Sequence, residues 1–163
     1  MKVFARAELV PANLASDEPA LLCEGSWPSG EQSVCRWSLD EAIDARCAWI
    51  DREAARLAEQ AAQNRHSIYL LGAEPDTVAT AAAELQQRHP GLEIAGAHHG
   101  FLGDGATDVA ATIGTSGAAI LLVGMGSPRQ EEFIDAHWDQ LGVNIAIGVG
   151  GSFEILANRL VRA

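Results

Sequence analysis

The segment Gly124–Glu131 contains residue types that bind anions, and it directly follows an apolar run. Its two glycines let the backbone approach a ligand closely or adopt positive φ. Ser127 and Gln130 have the spacing of a capping box, and Pro128 suits the first turn of a helix. Such a helix start points free N–H groups and the positive end of the helix dipole outward, and Arg129 adds a formal charge. The segment predicts an anion site, with a capped helix that binds nothing as the alternative.

The last glycine-rich segment, Gly148–Glu154, is a second candidate. Ser152 is predicted to cap the final helix. Glu154 falls in the first turn of that helix, where the dipole favours a carboxylate for structural reasons alone. The functional interpretation of Glu154 is an acceptor for ribose or sugar hydroxyls. The two interpretations of this carboxylate have equal weight.

Two adjacent histidines, His98 and His99, close a predicted strand. Their side chains point to opposite sides of an extended segment and only Asp104 is near as a further ligand, so no metal site is predicted. Imidazole donates or accepts hydrogen bonds near neutral pH, which makes His99 a candidate for contact with a phosphate or a sugar. Plain packing of the pair is the alternative.

The glycine-rich turns lack the familiar cofactor motifs. Arg129 stands where a dinucleotide fingerprint would have its third glycine, and Phe153 stands at that place in the later turn. The P-loop pattern G-x-x-x-x-G-K-[ST] and the nucleophile elbow G-x-S-x-G do not occur. Hydride transfer and P-loop chemistry are therefore disfavoured, and no cofactor is predicted.

After residue 66, strands that alternate with helices position these turns. Short apolar runs predict strands, and amphipathic periods predict helices. The predicted strands are 67–71, 92–97, 118–123 and 143–149, and the predicted helices are 76–88, 108–113, 127–141 and 152–160. This alternation predicts a doubly wound, Rossmann-like α/β fold with a parallel sheet of about four strands, flanking helices and an irregular N-terminal region.

Ligands of such sheets bind outside the carboxyl ends of the strands. All of the predicted strands end in glycine-bearing turns, so we expect one nucleotide-sized pocket at that edge. The candidate binding residues are Gly72, His99, Gly100, Gly124, Gly126, Ser127, Arg129, Gln130, Glu131, Gly150, Gly151, Ser152, Phe153 and Glu154. No residue is assigned a catalytic role or a metal.

Residues 1–37 are predicted to be an irregular segment, because most of it is rich in Ser, Pro, Gly and Glu without a sustained period. A long helix is predicted from Ser38 to about Arg65. Residues 38–163 are therefore predicted to form one α/β domain that includes this helix. The cysteines are odd in number and have no close pair, so free thiols in a reducing compartment are expected.

The net charge of −11 argues against a nucleic-acid partner, which needs a basic stripe, and against electrostatic docking on anionic lipid. No run approaches the ~20 apolar residues that span a bilayer, and charge interrupts the N-terminal stretch too soon for a signal peptide. A cytosolic protein of one domain is predicted, and its oligomeric state stays open.

Residues 67–163 resemble the WecG/TagA/CpsF family of bacterial glycosyltransferases. Motifs in the family's order carry the resemblance: Tyr69–Gly72, Pro90–Leu92 with His98–Phe101, Gly124–Glu131 and Gly148–Glu154. The resemblance implies transfer of a hexosamine-type sugar, of the N-acetylmannosamine class, from a UDP donor to a polyprenyl-diphosphate-linked sugar in cell-surface polysaccharide synthesis. It implies these two partners at the inner face of the cytoplasmic membrane, and it makes residues 38–163 a nucleotide-sugar-binding domain.

The resemblance also implies a missing part. The family's N-terminal half carries a threonine- or asparagine-rich turn and an Asp-Gly motif with the proposed general base, whereas residues 1–66 contain no threonine and no Asp-Gly pair. The last motif has Glu154 where aspartate is typical and Asn158 where glycine is. The sequence therefore predicts a donor-binding portion that is catalytically weak or silent alone, with a non-catalytic UDP or UDP-sugar-binding module as the alternative.

Overall fold

A computed structural model describes residues 3–5 and 54–159 of the chain. Its elements in chain order are β1 (Val3–Ala5), α1 (described over 54–64), β2 (Ile68–Gly72), α2 (Pro75–Arg88), β3 (Ile94–His98), α3 (Ala106–Thr115), β4 (Ile120–Gly124), α4 (Arg129–Leu141), β5 (Ile145–Gly148) and α5 (Ser152–Leu156). A 3₁₀ turn at Gly103–Gly105 precedes α3. Most of the predicted irregular segment and the predicted start of the long helix at Ser38 lie outside the described residues.

The sheet has the order β1-β5-β4-β2-β3. Strands β2 to β5 are parallel to one another, whereas β1 pairs antiparallel with β5 at the edge. The predicted Rossmann-like α/β fold with four parallel strands is confirmed. Strand β1 is an addition that the sequence pattern does not predict, because three residues are too few to show a period of two.

The central strands β2 and β4 are buried along their whole length, which explains why the sequence shows them as continuous apolar runs. Alternate side chains of a strand face opposite sides of the sheet. Ile68 and Leu70 lie in one buried cluster with residues of α1, α2 and α5, and Tyr69 and Leu71 lie in a second cluster with residues of α3 and α4. Helices therefore cover both faces of the sheet.

The described part of α1 packs on this core through alanines. Ala54, Ala58 and Ala61 are buried in the same cluster as Ile68 and Leu70. Their spacing of four and three residues puts them on one face of the helix, and their small side chains let the helix come close to the sheet. The described end of the predicted long helix is thus part of the core.

Helix α5 is shorter than the predicted helix and starts differently. Its N-cap residue is Gly151, with no side-chain cap hydrogen bond. The hydroxyl of Ser152 donates to Val149 O at 2.7 Å, so the predicted Ser152 cap is wrong. The helix ends at Leu156 instead of residue 160, and Asn158 follows with a φ of 55°. A positive φ is incompatible with a continued right-handed helix.

Tyr69, the only tyrosine of the chain, is 4% exposed, and burial raises the pKa of its phenol above the ordinary 10.0. Because the folded state holds the proton more tightly, this contribution to stability is fully present below the unfolded pKa and is lost as the pH rises through the folded pKa. We expect the free energy of unfolding to fall above about pH 10. Urea unfolding at about pH 8 and about pH 11 measures this change. The free energy of unfolding should fall less between these pH values in Tyr69→Phe than in the unmodified chain, and an equal fall in both would contradict the prediction.

Candidate functional site

The turns that follow β2, β3, β4 and β5 enclose a cleft of about 400 Å³ at the carboxyl edge of the sheet. Doubly wound sheets bind ligands at this edge, and the volume lies in the range of small-molecule sites. This cavity is called the carboxyl-edge cleft below. Its lining residues are Ala73, Glu74, Gly100, Phe101, Gly124, Met125, Gly126, Arg129, Gly150, Gly151 and Glu154.

Close backbone contacts hold these turns together. Ala73 N donates to Gly124 O at 2.9 Å, and Gly100 N donates to Ala73 O at 2.9 Å. A Cβ on Gly124 would lie 2.7 Å from the ring of Phe153 and 2.9 Å from Gly150 O. Phe153 is 1% exposed, so it packs behind the lining and does not reach the cleft. Glycine at 124 is therefore needed for the turns to pack.

Helix α4 begins at Arg129, with Pro128 as its N-cap residue and no side-chain cap hydrogen bond. The predicted capping box of Ser127 and Gln130 is therefore wrong. Ser127 is exposed and its peptide bond to Pro128 is cis. The backbone N–H of Gln130 donates to Gly126 O at 3.1 Å. A backbone carbonyl therefore accepts the hydrogen bond that the serine hydroxyl was predicted to accept.

The side chain of Gln130 instead connects two turns of the cleft. It is 5% exposed, and its Oε1 accepts a hydrogen bond from Gly150 N at 3.1 Å. Its Nε2 donates to Glu131 Oε1 at 2.8 Å. Gly148 leaves room for this side chain, because a Cβ there would lie 2.8 Å from the Gln130 carboxamide carbon. Gln130 thus fixes the turn after β5 to the start of α4.

Among the described residues that line the cleft, Arg129 carries the one positive charge. It is exposed, and its Nη2 donates to Met125 O at 2.8 Å, which holds the guanidinium against the turn after β4. Glu74 and Glu154 are the lining carboxylates. Within the described part of the chain, the buried Oε2 of Glu154 has no hydrogen-bond partner. A phosphate beside Arg129 and a hydroxyl beside Glu154 would match these charges.

The two histidines support the loop after β3. His98 Nδ1 donates to His99 O at 2.8 Å, and Phe101 N donates to His99 Nδ1 at 3.2 Å. These partners assign the ring proton of a neutral His99 to Nε2. His99 therefore holds the backbone of Phe101, which lines the cleft. Among the described residues, no group of three or more His, Cys, Asp or Glu could hold a metal ion.

A second cavity, of about 460 Å³, lies at the opposite edge of the sheet between α1 and the amino ends of β4 and β5. Its polar lining consists of His66 and of amide side chains such as Gln60, Asn64 and Asn144. No Arg or Lys is among its lining residues in the described part of the chain. Although it is larger, it lacks the cation that an anionic ligand needs, so the carboxyl-edge cleft is the stronger candidate.

The sequence profile of the Glycosyl transferase WecG/TagA/CpsF family matches residues 30–163, which include every turn of the cleft. The chain belongs to this family. The match begins well before residue 67, where the motifs of the WecG/TagA/CpsF resemblance start, and so it includes α1. None of the helices in the described part of the chain has the length and apolarity to span a bilayer.

Relatives that align with the chain include N-acetylglucosaminyldiphosphoundecaprenol N-acetyl-beta-D-mannosaminyltransferases of Staphylococcus aureus. Those of strains NCTC 8325 / PS 47 and COL are 38% identical to the chain over 100 residues. That of strain MRSA252 is 37% identical over 100 residues. Each alignment covers 61% of this chain and 39% of the relative. The chain thus spans well under half the length of the curated relatives that it matches.

In this WecG/TagA/CpsF family member, the predicted binding residues fall into two sets. Those that line the cleft are Gly100, Gly124, Gly126, Arg129, Gly150, Gly151 and Glu154. Those that lie beside or behind it are Gly72, His99, Ser127, Gln130, Glu131, Ser152 and Phe153. Four further lining residues were not predicted to bind a ligand: Ala73, Glu74, Phe101 and Met125. All of them stand within two residues of a predicted glycine, and that proximity is the signal that could have identified them.

Proposed function

We propose that the carboxyl-edge cleft binds a UDP-sugar and that the chain is the donor-binding portion of a hexosyltransferase. The proposed reaction moves an N-acetylmannosamine-type sugar from UDP to a polyprenyl-diphosphate-linked N-acetylglucosamine at a membrane surface, in cell-surface polysaccharide synthesis. The family supports the class of reaction. The name of the Staphylococcus aureus relatives supports the sugar and the acceptor.

The position of Arg129 next to residues without side chains carries this proposal. Gly126 has a φ of 76° and Gly150 a φ of 54°, and an added Cβ at either residue would meet nothing within 4 Å. Gly151 is similarly open, because the nearest atom to an added Cβ there would be Glu154 Oε2 at 3.7 Å. A diphosphate can therefore approach the backbone of the turn after β4, where the guanidinium neutralises its charge, and the turn after β5 is open to an uncharged part of the ligand.

Other charges among the described residues favour the same place for a phosphate. The N-terminus of α2 is unsuited to an anion, because Glu74 and Asp76 carry negative charges and Pro75 has no N–H. The net charge of −11 also disfavours a nucleotide at long range, so its affinity must come from local contacts. Among the described turns of the cleft, the one after β4 carries the positive charge that a diphosphate needs.

Glu154 is proposed to accept hydrogen bonds from ribose or sugar hydroxyls. Its Oε2 is buried and has no donor within the described residues. A buried carboxylate oxygen without a donor is unfavourable, and a ligand hydroxyl would supply one. The diphosphate is then expected nearer Gly126 and Arg129, because Glu154 Oε2 lies 3.7 Å from the position of a Gly151 Cβ and would repel a phosphate there.

Arg129→Glu should weaken UDP binding at least tenfold, because a charge-assisted hydrogen bond contributes about 1.5–3 kcal/mol and the new carboxylate repels the phosphates. Isothermal titration of the full chain with UDP measures this change. Arg88→Glu makes the same change in net charge at the far end of α2, about 20 Å from Glu74 at the cleft. Equal losses in both variants would contradict a local contact, and an absence of UDP binding by the unmodified chain would overturn the proposed function.

A non-catalytic UDP or UDP-sugar-binding module is the second candidate. An inverting transfer needs a general base, which contributes about 10²–10⁴-fold to the rate. Residues 1–66 contain no threonine and no Asp-Gly pair, and this favours the module. Release of UDP from UDP-N-acetylmannosamine in the presence of a lipid-linked N-acetylglucosamine distinguishes the two. Turnover supports the enzyme, whereas UDP binding without acceptor-dependent release supports the module.

A further inference from the structure

Phe101 is the one large hydrophobic side chain that residues 54–159 leave exposed, with 64% of its surface accessible. It also lines the carboxyl-edge cleft. An exposed phenyl ring contributes little to the stability of the free protein, but its burial by a ligand releases a large apolar area from water. The ring is therefore available to a ligand at the place where the charged and glycine-rich turns meet.

The backbone on both sides of Phe101 is held in place. Gly100 N donates to Ala73 O at 2.9 Å, and Phe101 N donates to His99 Nδ1 at 3.2 Å. Leu102 packs against the buried cluster of α3 and α4. The His99 ring lies near that of Phe101, with a centroid distance of 6.1 Å and an angle of 40°. Phe101 is thus presented to the cleft by an anchored loop.

The cleft has a phosphate end and an uncharged end. Arg129 belongs to the turn after β4 and Phe101 to the turn after β3, and β2 lies between these strands. The two turns nevertheless approach each other, because a Cβ on Gly100 would lie 3.1 Å from Met125 Cγ. Glu74, in the turn after β2, disfavours a phosphate near the ring. The part of a ligand that covers Phe101 is therefore expected to be uncharged.

We infer that Phe101 is the stacking platform for the nucleobase of the bound nucleotide, which deepens and rests on the proposed function. A pyrimidine has a flat π-face that matches a phenyl ring, and the ribose separates that face from the diphosphate. Base–aromatic stacking changes affinity by about 5- to 150-fold per base. The carboxylate of Glu74 can accept a hydrogen bond from an N–H at the edge of the base.

Titration of the full chain with UDP and with inorganic pyrophosphate tests this inference. Phe101→Ala is expected to weaken UDP binding by about 5- to 150-fold and to leave pyrophosphate binding unchanged. Phe101→Trp keeps an aromatic face and is expected to retain the affinity for UDP. Its new indole should lose fluorescence on addition of UDP, beyond any change in the unmodified chain, and should not respond to pyrophosphate.

Three results would overturn the inference. If Phe101→Ala binds UDP like the unmodified chain, the base lies elsewhere. The proposed function would still be supported in that case, because the chain binds UDP. Loss of affinity for UDP and for pyrophosphate together shows a distorted loop. A loss confined to UDP-N-acetylmannosamine, with UDP unaffected, shows that the sugar covers the ring. Failure of the unmodified chain to bind UDP would instead remove the proposed function.

Discussion

Gly72→Ala is expected to lower the free energy of unfolding by about 2–6 kcal/mol, which is a large part of the stability of a typical domain. Gly72 has a φ of 143°, where a side chain is strained, and its Cβ would lie 2.7 Å from Gly124 Cα and still closer to the Gly124 carbonyl. That carbonyl accepts the hydrogen bond from Ala73 N at 2.9 Å, so it cannot move away from the new Cβ without weakening this hydrogen bond. The strain and the overlap each cost about 1–3 kcal/mol.

Urea unfolding of Gly72→Ala and of Gly117→Ala measures the two costs. Gly117 also has a positive φ, of 74°, but an added Cβ there would meet nothing within 4 Å. Its replacement should cost only the conformational strain, about 1–2 kcal/mol. Similar losses in the two variants would show that close approach of β2 and β4 does not require glycine. A much larger loss in Gly72→Ala supports the packing argument.

The parallel sheet could be predicted because its cause is local in the sequence. Strands β2 and β4 are buried on both faces, and such strands are continuous apolar runs. Strand β1 could not be predicted, because its pairing with β5 depends on a contact between distant parts of the chain. The end of α5 at Leu156 could not be predicted either, because the helical pattern of the sequence continues to residue 160. Element type thus follows from periodicity, whereas pairing and ends depend on tertiary contacts.

The candidate site could be predicted as a set of glycine-rich turns, but the roles of its glycines could not. Gly72 and Gly124 are glycines because the chain itself approaches them, whereas Gly126 and Gly150 face open space. The sequence shows the same residue in both situations. Only the contacts between turns that are far apart in the sequence separate glycines needed for packing from glycines available to a ligand.

Gln130 shows the same limit for a side chain. Its spacing from Ser127 suggested a local capping box, yet its Oε1 accepts from Gly150 N, twenty residues away. A capping box is a pattern within four residues, so it can be recognised without the fold. A contact between the starts of two helices becomes visible only when β4 and β5 are side by side. The sequence therefore singled out the right residue for the wrong reason.

Gln130→Met is expected to cost about 2–6 kcal/mol of stability and to weaken UDP binding as well. The methionine has a similar volume but leaves Gly150 N and the Glu131 carboxylate without their hydrogen bonds, each at about 1–3 kcal/mol. Release of the turn after β5 would then displace Gly150 and Gly151 from the cleft that they line. Urea unfolding and UDP titration measure the two effects, with the exposed Gln140→Met on the same helix as the control.

Gln130→Glu separates the two hydrogen bonds of this side chain. A glutamate can still accept from Gly150 N, but it loses the donor to Glu131 and brings two carboxylates together. This variant should therefore be less stable than the unmodified chain and yet bind UDP more tightly than Gln130→Met does. Equal UDP affinities for the two variants would mean that the Gly150 hydrogen bond does not shape the cleft, because Gly150 is the partner that only the glutamate retains. Gln130 would then stabilise the fold without positioning the nucleotide.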